Sequence, residues 1–410
     1  MITTRTTAFM AMLLLTGALQ AQDWPQWRGP ARDNKVTGFN EPKTWPKELT
    51  KKWTISVGVG EASPVLVGDK LYTFGRKGND EVTACYDAAT GKEIWSEKYA
   101  AVVVTGGAKN YPGPRSTPAV ADGKICTLGV GGDLICRDYV TGKELWKVNK
   151  GKPQFYTSTS PLIADGKCIV LAGTLAAYDL ATGKPAWMAS SIKAGYGSPE
   201  IMTVDSVKQI VTPADGVLAG VSFADGKVLW KLGIGGTWQN NYSTPIIDGN
   251  MVYYSITPGG KKGGKGTAGG SASGFVALKV EKKDGDFTAT QVWKASPAAG
   301  YHTPVLRDGL IFGVSQQGRN FFCLDAKTGD KKWNDDTDHG ECGSILNVGS
   351  VMVALTSDKD LIVFRPGAKE FSQVARYRVS SSPTWCVPIL TGNRIYVKDK
   401  AGSLTLWTVD

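Results

Sequence analysis

The sequence predicts an all-β protein, an eight-bladed β-propeller of four-stranded antiparallel blades closed by an N-terminal strand in the last blade. Three observations predict it. A nine-residue string recurs with its spacing intact, an apolar run followed by a turn recurs eight times and is led by Pro in seven, and the last repeat lacks an outer strand that the beginning of the chain supplies. Repetition of this kind marks architecture before chemistry, because each unit buries its apolar face only against its neighbours.

The string reads DAATGKEIW from Asp87, DYVTGKELW from Asp138, DLATGKPAW from Asp179 and DAKTGDKKW from Asp325. A degenerate copy, SFADGKVLW from Ser222, keeps the step to its Trp and loses the leading Asp. Asp can hydrogen-bond the backbone of the turn that follows it, and Gly takes a positive φ without steric cost. The Trp then opens an outermost strand, where its wide ring can cover the seam to the next blade.

The second signal precedes each string. It is read as SPVLVGDKLYTF from Ser63, TPAVADGKICTL from Thr117, SPLIADGKCIVL from Ser160, SPEIMTVDSVKQIV from Ser198, TPIIDGNMVYY from Thr244 and TPVLRDGLIFGV from Thr303, with weaker copies from Gly343 and Val387. The markers Pro64, Pro118, Pro161, Pro199, Pro245, Pro304, Ser344 and Pro388 lie 38 to 59 residues apart. Each period holds four short runs rich in β-branched and aromatic residues, separated by Gly, Asp and Asn turns and without helical periodicity. A four-stranded unit at this period is a propeller blade. The eighth copy ends at Asp410 without an outer strand, and KKWTISVG from Lys51 has the Trp and alternation of one. Joining the two ends removes the open edge that a ring of radial sheets would expose.

Residues 1–21 carry Arg5 ahead of an apolar core from Ala8 to Leu15 and small residues before a cut after Ala21, the pattern of a secretory signal peptide too short to span a membrane. No Cys follows that core, so a lipid-anchoring cut is not expected. The expected organisation is a signal peptide at 1–21, an extension packed on the propeller at 22–50 and the propeller at 51–410. The mature protein is expected to be periplasmic or secreted, monomeric, and without a transmembrane segment. Loss of Arg5 takes the formal net charge from +10 to +9. An exported chain with its Lys mostly in turns reads as a solubilised surface rather than a nucleic-acid binder. Seven Cys, without a CxxC or an adjacent pair, read as small buried apolar groups. Cys342 and Cys386 share one repeat position and should face a common seam as free thiols.

Taken together, DWPQWRGP from Asp23, GPRSTP from Gly113, the repeated strings and SSPTWCVPIL from Ser381 make residues 23–410 resemble the PQQ-like β-propeller proteins. That group includes the outer-membrane-protein assembly factor BamB and, more distantly, the quinoprotein dehydrogenases. The resemblance implies either a non-catalytic envelope scaffold or a dehydrogenase carrying PQQ with calcium.

Turns alternate between the two faces of a propeller, so the residues just before each marker share the face opposite the Asp-Gly and TGK turns. Three before each marker stand Glu61, Arg115, Ser158, Tyr196, Tyr242, Tyr301, Glu341 and Trp385, while one before it stand only Ser, Thr, Gly or Val. A small inner position with a variable aromatic or charged outer one suits a central recognition surface; the alternative is a set of solvated loop ends. His302, beside Tyr301, could touch a ligand. An insert from Thr257 to Gly274 falls on the same face and reads as a mobile loop, either tolerated or holding an anionic partner through Lys261, Lys262 and Lys265. No metal spacing and no GxSxG or Ser-His-Asp context occurs. For a dehydrogenase, the resemblance implies a Trp and an adjacent-Cys disulfide around the quinone, with carboxylate and amide ligands to calcium. The pair of Cys is missing, and Glu61, Asn240, Asn241, Glu341, Asp358 and Asp360, with Trp238 or Trp385, share no short motif. The expectation is a scaffold without cofactor or metal, holding a protein, peptide or glycan of the cell envelope at Glu61, Arg115, Tyr196, Tyr242, Tyr301, His302, Glu341 and Trp385.

Overall fold

A computed structural model describes residues 22–149, 151–214, 216–234, 242–256 and 274–410. The signal-peptide reading of 1–21, the insert at 257–273, and Trp238, Asn240 and Asn241 lie outside the described residues. Among those described, the chain forms eight antiparallel sheets in a ring, with one 3-10 turn at Gly106–Ala108. Each blade runs outward from a strand that follows its marker. Blade 1 is Val65–Val67, Lys70–Lys77, Asp80–Asp87 and Glu93–Ala100. Blade 8 is Ile389–Thr391, Arg394–Lys398 and Ser403–Thr408, and its outer strand is Thr50–Ser56 from the other end of the chain. Trp53 stands opposite Leu406 and Ser56 opposite Ser403. Blade 7 gains a fifth strand, Lys35–Val36, paired in parallel with Asn347 and Val348.

The apolar core is a ring of seams rather than one centre. Leu171 of blade 3 packs with Ile210 and Ala219 of blade 4, and Val305 and Phe312 of blade 6 pack with Ile345 and Phe364 of blade 7, all fully buried. Each such Leu, Ile, Val or Phe side chain contributes about 1.5–3 kcal/mol.

The repeated string has a geometric cause. In three copies the leading Asp accepts from the Thr N–H and hydroxyl three residues on, as Asp138 Oδ1 does from Thr141 at 2.8 Å each. These hydrogen bonds hold the carboxylates of Asp87, Asp138 and Asp179 below their usual range. The turn glycine has a positive φ, +73° at Gly91 and +78° at Gly142. At five blade boundaries the Trp of one blade then lies over the turn glycine of the next, and its indole N–H donates to a carbonyl of that turn. Trp53 reaches Ala89 (2.8 Å), Trp95 Tyr139 (3.3 Å), Trp146 Leu180 (3.0 Å), Trp187 Phe223 (3.0 Å) and Trp293 Ala326 (3.1 Å). The string therefore joins neighbouring blades at their outer edges.

The inner edges are joined by the small residue before each marker. The N–H of Ser63 donates to the Thr117 hydroxyl, Thr117 to Ser160, Ser160 to Ser198, Ser198 to Thr244 and Thr244 to Thr303, at 2.9–3.2 Å. Val387 N–H closes onto Ser63 Oγ at 2.8 Å. The relay is interrupted where Gly343 and Val387 offer no hydroxyl. Ser or Thr recurs at this position because a buried N–H without an acceptor costs about 1–3 kcal/mol.

Candidate binding site

Residues 22–36 enter the ring from the turn face. Trp24 bridges Leu66 on the inner strand of blade 1, and Asp23 accepts from Gly68 N–H in the adjoining turn at 2.7 Å. The chain reverses at Arg28 and Gly29, both at positive φ, where a Cβ on Gly29 would stand 2.8 Å from the Trp24 ring. It leaves beside Val348. Inside the channel, Arg32 pairs with Glu200 at 3.0 Å and donates to the carbonyls of Pro161 and Pro199. Arg28 donates to Pro304 O at 3.3 Å and Asn34 to Ile345 O at 3.0 Å. Burial raises the Glu200 carboxyl against the pull of both arginines, and lowers Arg28 to about 10. At the tip, Trp27 donates to Thr244 Oγ1 at 3.3 Å. The segment closes the channel, so the opposite face is a bowl with a floor.

The outer ring lines that bowl. Glu61, Arg115, Ser158, Tyr196, Tyr242, Tyr301, Glu341 and Trp385, one from each blade boundary, share a cavity of about 430 Å³ with Gly107, Ala108, Tyr111 and Phe155. A smaller chamber of about 140 Å³ below it is bounded by Trp27 and the hydroxyls of Ser160, Ser198, Thr244 and Thr303. Tyr111, Phe155 and Trp27 are outside the ring positions read from the repeat. The first two lie on loops with no fixed offset from a marker; Tyr111, four residues before Arg115, was detectable only as an aromatic next to the GPRSTP motif.

Five rings follow one another around the wall. Tyr196 to Tyr242 is 5.9 Å between centroids, Tyr242 to Tyr301 4.6 Å, Tyr301 to Trp385 6.0 Å and Trp385 to Tyr111 5.8 Å, at interplanar angles of 30° to 64°. Lys400 lies 4.1 Å over the Tyr111 ring. Arg115 is held in place, donating to Phe155 O at 2.7 Å and Tyr111 O at 3.1 Å, and burial lowers its pKa. Burial raises the Glu61 carboxyl, opposed by Lys398, Arg115 and Lys400. The Lys398 ammonium is buried behind Glu61 and donates to Gly60 O.

His302 is separated from this group. It is buried below the ring, against the lower chamber, where Nε2 accepts from Val314 N–H at 2.9 Å and burial lowers its pKa to about 3. His339 packs 4.0 Å from Phe321 and meets Asp335 at 2.6 Å, away from the bowl. All seven Cys are free and buried. Cys386 Sγ lies 3.4 Å from Glu61 O, and burial raises its thiol to about 11.

A ring of tryptophan-docked blades with a one-ended central bowl defines a PQQ-like propeller. The chain belongs to the family described as outer membrane protein assembly factor BamB, whose family model matches residues 78–335. It is 31% identical over 219 residues to the lanthanide-dependent methanol dehydrogenase of Methylacidiphilum fumariolicum (strain SolV), covering 50% of this chain and 34% of that protein. It is 25% identical over 229 residues to the outer membrane protein assembly factor BamB of Burkholderia pseudomallei (strain K96243), covering 45% and 59%. The chain thus spans less than two thirds of the length of these relatives. Among solved structures, BamB from Moraxella catarrhalis superposes with a TM-score of 0.62 at 16% identity, over 88% of this chain and 97% of that one. A europium-containing methanol dehydrogenase superposes at 0.66 and 14% identity, over 92% and 89%. The structural likeness is one of fold.

The dehydrogenase relatives raise the question of a quinone and its cation. Of the carboxylates considered for a metal, Glu61 and Glu341 reach the bowl, Asp360 is engaged by Arg376 and Arg378 at 2.5 and 3.0 Å, and Asp358 stands exposed outside the lining. No three His, Cys, Asp or Glu side chains converge to hold a metal among the described residues. Trp238, Asn240 and Asn241, the remaining candidates for a quinone and its cation, lie outside the described residues. No helix among the described residues is long and apolar enough to cross a membrane.

Proposed function

We propose that this chain is an exported, non-catalytic propeller of the bacterial cell envelope whose bowl receives a protein, peptide or glycan. One observation carries the reading: the eight positions that the repeat leaves variable line a single cavity whose floor is closed by Trp27. Variable side chains on a rigid repeated frame are where recognition is built. BamB relatives, named for assembly of outer membrane proteins, support a scaffold role; a leader at 1–21 and action as a monomer without nucleic acid belong to the same proposal. The dehydrogenase relatives support a second reading, PQQ-dependent alcohol or sugar oxidation.

Two measurements separate the readings. Addition of PQQ with calcium or a lanthanide to the purified chain is expected to give no alcohol-dependent dye reduction and no quinone absorbance retained through gel filtration; either signal overturns the scaffold reading. Retention of partners from envelope extract is expected to fall at least about tenfold with Tyr301→Ala or Trp385→Ala, since aromatic anchors dominate such contacts. These are cleaner probes than Arg115→Ala, because Arg115 also braces Phe155 and Tyr111. Undiminished retention would place the binding surface elsewhere.

A further inference from the structure

The bowl is unusual in what supplies its apolar surface. Among the described residues, six of the twelve that line it are aromatic and none is Val, Leu, Ile or Met. A pocket for peptide side chains takes much of its apolar surface from aliphatic groups, and a pocket for a flat aromatic ligand presents parallel faces. Here successive rings turn through 30° to 64° around an arc. The electron-rich faces of such rings attract the weakly positive C–H groups of a ligand that is apolar on its faces and polar around its edge.

The polar groups narrow the class further. Glu61 and Glu341 oppose an anionic ligand, while Arg115, with Lys398 and Lys400 close to Glu61, opposes a strongly cationic one. The guanidinium donates only, an ionised carboxylate accepts only, and the hydroxyls of Ser158 and the tyrosines do both. A neutral ligand dense in hydroxyl groups hydrogen-bonds all of them without setting a charge of its own against either sign. Burial also raises the Glu61 carboxyl despite three neighbouring cations, which lessens the negative charge the wall presents.

Resting on the reading of the bowl as a binding site, we propose that it takes the end of a neutral oligosaccharide, stacked on the arc from Tyr196 to Tyr111 and hydrogen-bonded by Glu61, Glu341 and Arg115. An end is specified because Trp27 closes the floor, so a polymer cannot thread the ring. The 430 Å³ cavity lies in the lower part of the range of roughly 300–1,000 Å³ found for small-molecule sites, which suits a terminal unit or two.

The test is saturation-transfer NMR with a panel of cello-, malto-, manno-, xylo- and chito-tetraoses, run beside a pool of uncharged tetrapeptides, with titrations followed by tryptophan fluorescence. At least one sugar is expected to bind, with the strongest transfer to C–H protons of one terminal unit. Trp385→Ala and Tyr301→Ala should each weaken it about tenfold or more, while Trp385→Phe, which keeps a ring face, should stay within about threefold. Tyr301 is half exposed, so its variant tests the point even where Trp385→Ala disturbs the fold. Peptide binding that needs Trp385, without sugar binding, overturns the glycan class and leaves the bowl as a binding site. Binding of either probe that ignores both substitutions overturns the bowl reading itself, and no binding of any probe overturns the glycan proposal.

Discussion

At the scale of single residues, the unusual groups sit just beneath the bowl. His302 is a buried imidazole whose Nε2 accepts a backbone N–H, so the fold selects the neutral ring. Its ordinary value of 6.5 falls to about 3 on folding. Between those values the unfolded chain takes up a proton that the folded chain refuses. Stability present above about pH 6.5 is therefore lost as pH falls toward 3, by about 1.4 kcal/mol per unit at the steepest. Wild type is expected to lose about 1–2 kcal/mol more than His302→Gln between pH 7 and pH 5 in urea unfolding. Equal losses would show that His302 titrates as an exposed imidazole. The sequence placed His302 beside a ring residue, which is correct along the chain. It could not show that alternate residues of the segment before a marker face the bowl and the core in turn.

At the scale of the element, the string-bearing turn is a socket for the preceding blade's Trp, and its glycine has two separable jobs. Gly183 (φ +71°) would place a Cβ 2.7 Å from the Trp146 ring, whereas Gly166, in an inner turn at φ +68°, has open space around it. Alanine at 166 meets only the backbone penalty, about 1 kcal/mol. Alanine at 183 adds the clash and should cost about 2–3 kcal/mol, read as the difference in unfolding midpoint. Equal costs would mean that the indole does not seat on the turn as described. Blade count and the wall positions were legible in the sequence because they follow from the repeated markers and a fixed offset from them, and the outer strand from Thr50 because the eighth copy lacks one. The plug, as the channel-closing segment at 22–36 can be called, was not, because DWPQWRGPARDN occurs once and has no second copy from which to infer its place.

At the scale of the whole molecule, that single-copy segment fastens blades on opposite sides of the ring as well as neighbours. Trp24 is fixed at blade 1, Arg32 at blades 3 and 4, Trp27 at blade 5, Arg28 at blade 6 and Asn34 at blade 7. Arg32→Ala would strand Glu200 in the channel and is expected to lower stability by roughly 3 kcal/mol, with part recovered in Arg32→Ala/Glu200→Gln because an unpaired buried charge is the main cost. Additive losses in thermal or urea unfolding would instead assign the effect to packing of the plug.

The strand that completes blade 8 and the plug both come from the first 35 residues of the described chain, yet their partners are spread as far as Leu406. Blades 1 to 6 can assemble from neighbours in sequence, one after another, as the chain lengthens. The segment at 22–36 must wait until blade 7 exists and the strand at Thr50–Ser56 until the last strand does, and closing such long loops is slow. Folding should therefore finish late, with the filling of the channel and the clasp at Thr50–Ser56 both following the assembly of the middle blades. Until the channel is filled the bowl has no floor, so its final shape depends on the two ends of the chain being brought into one ring.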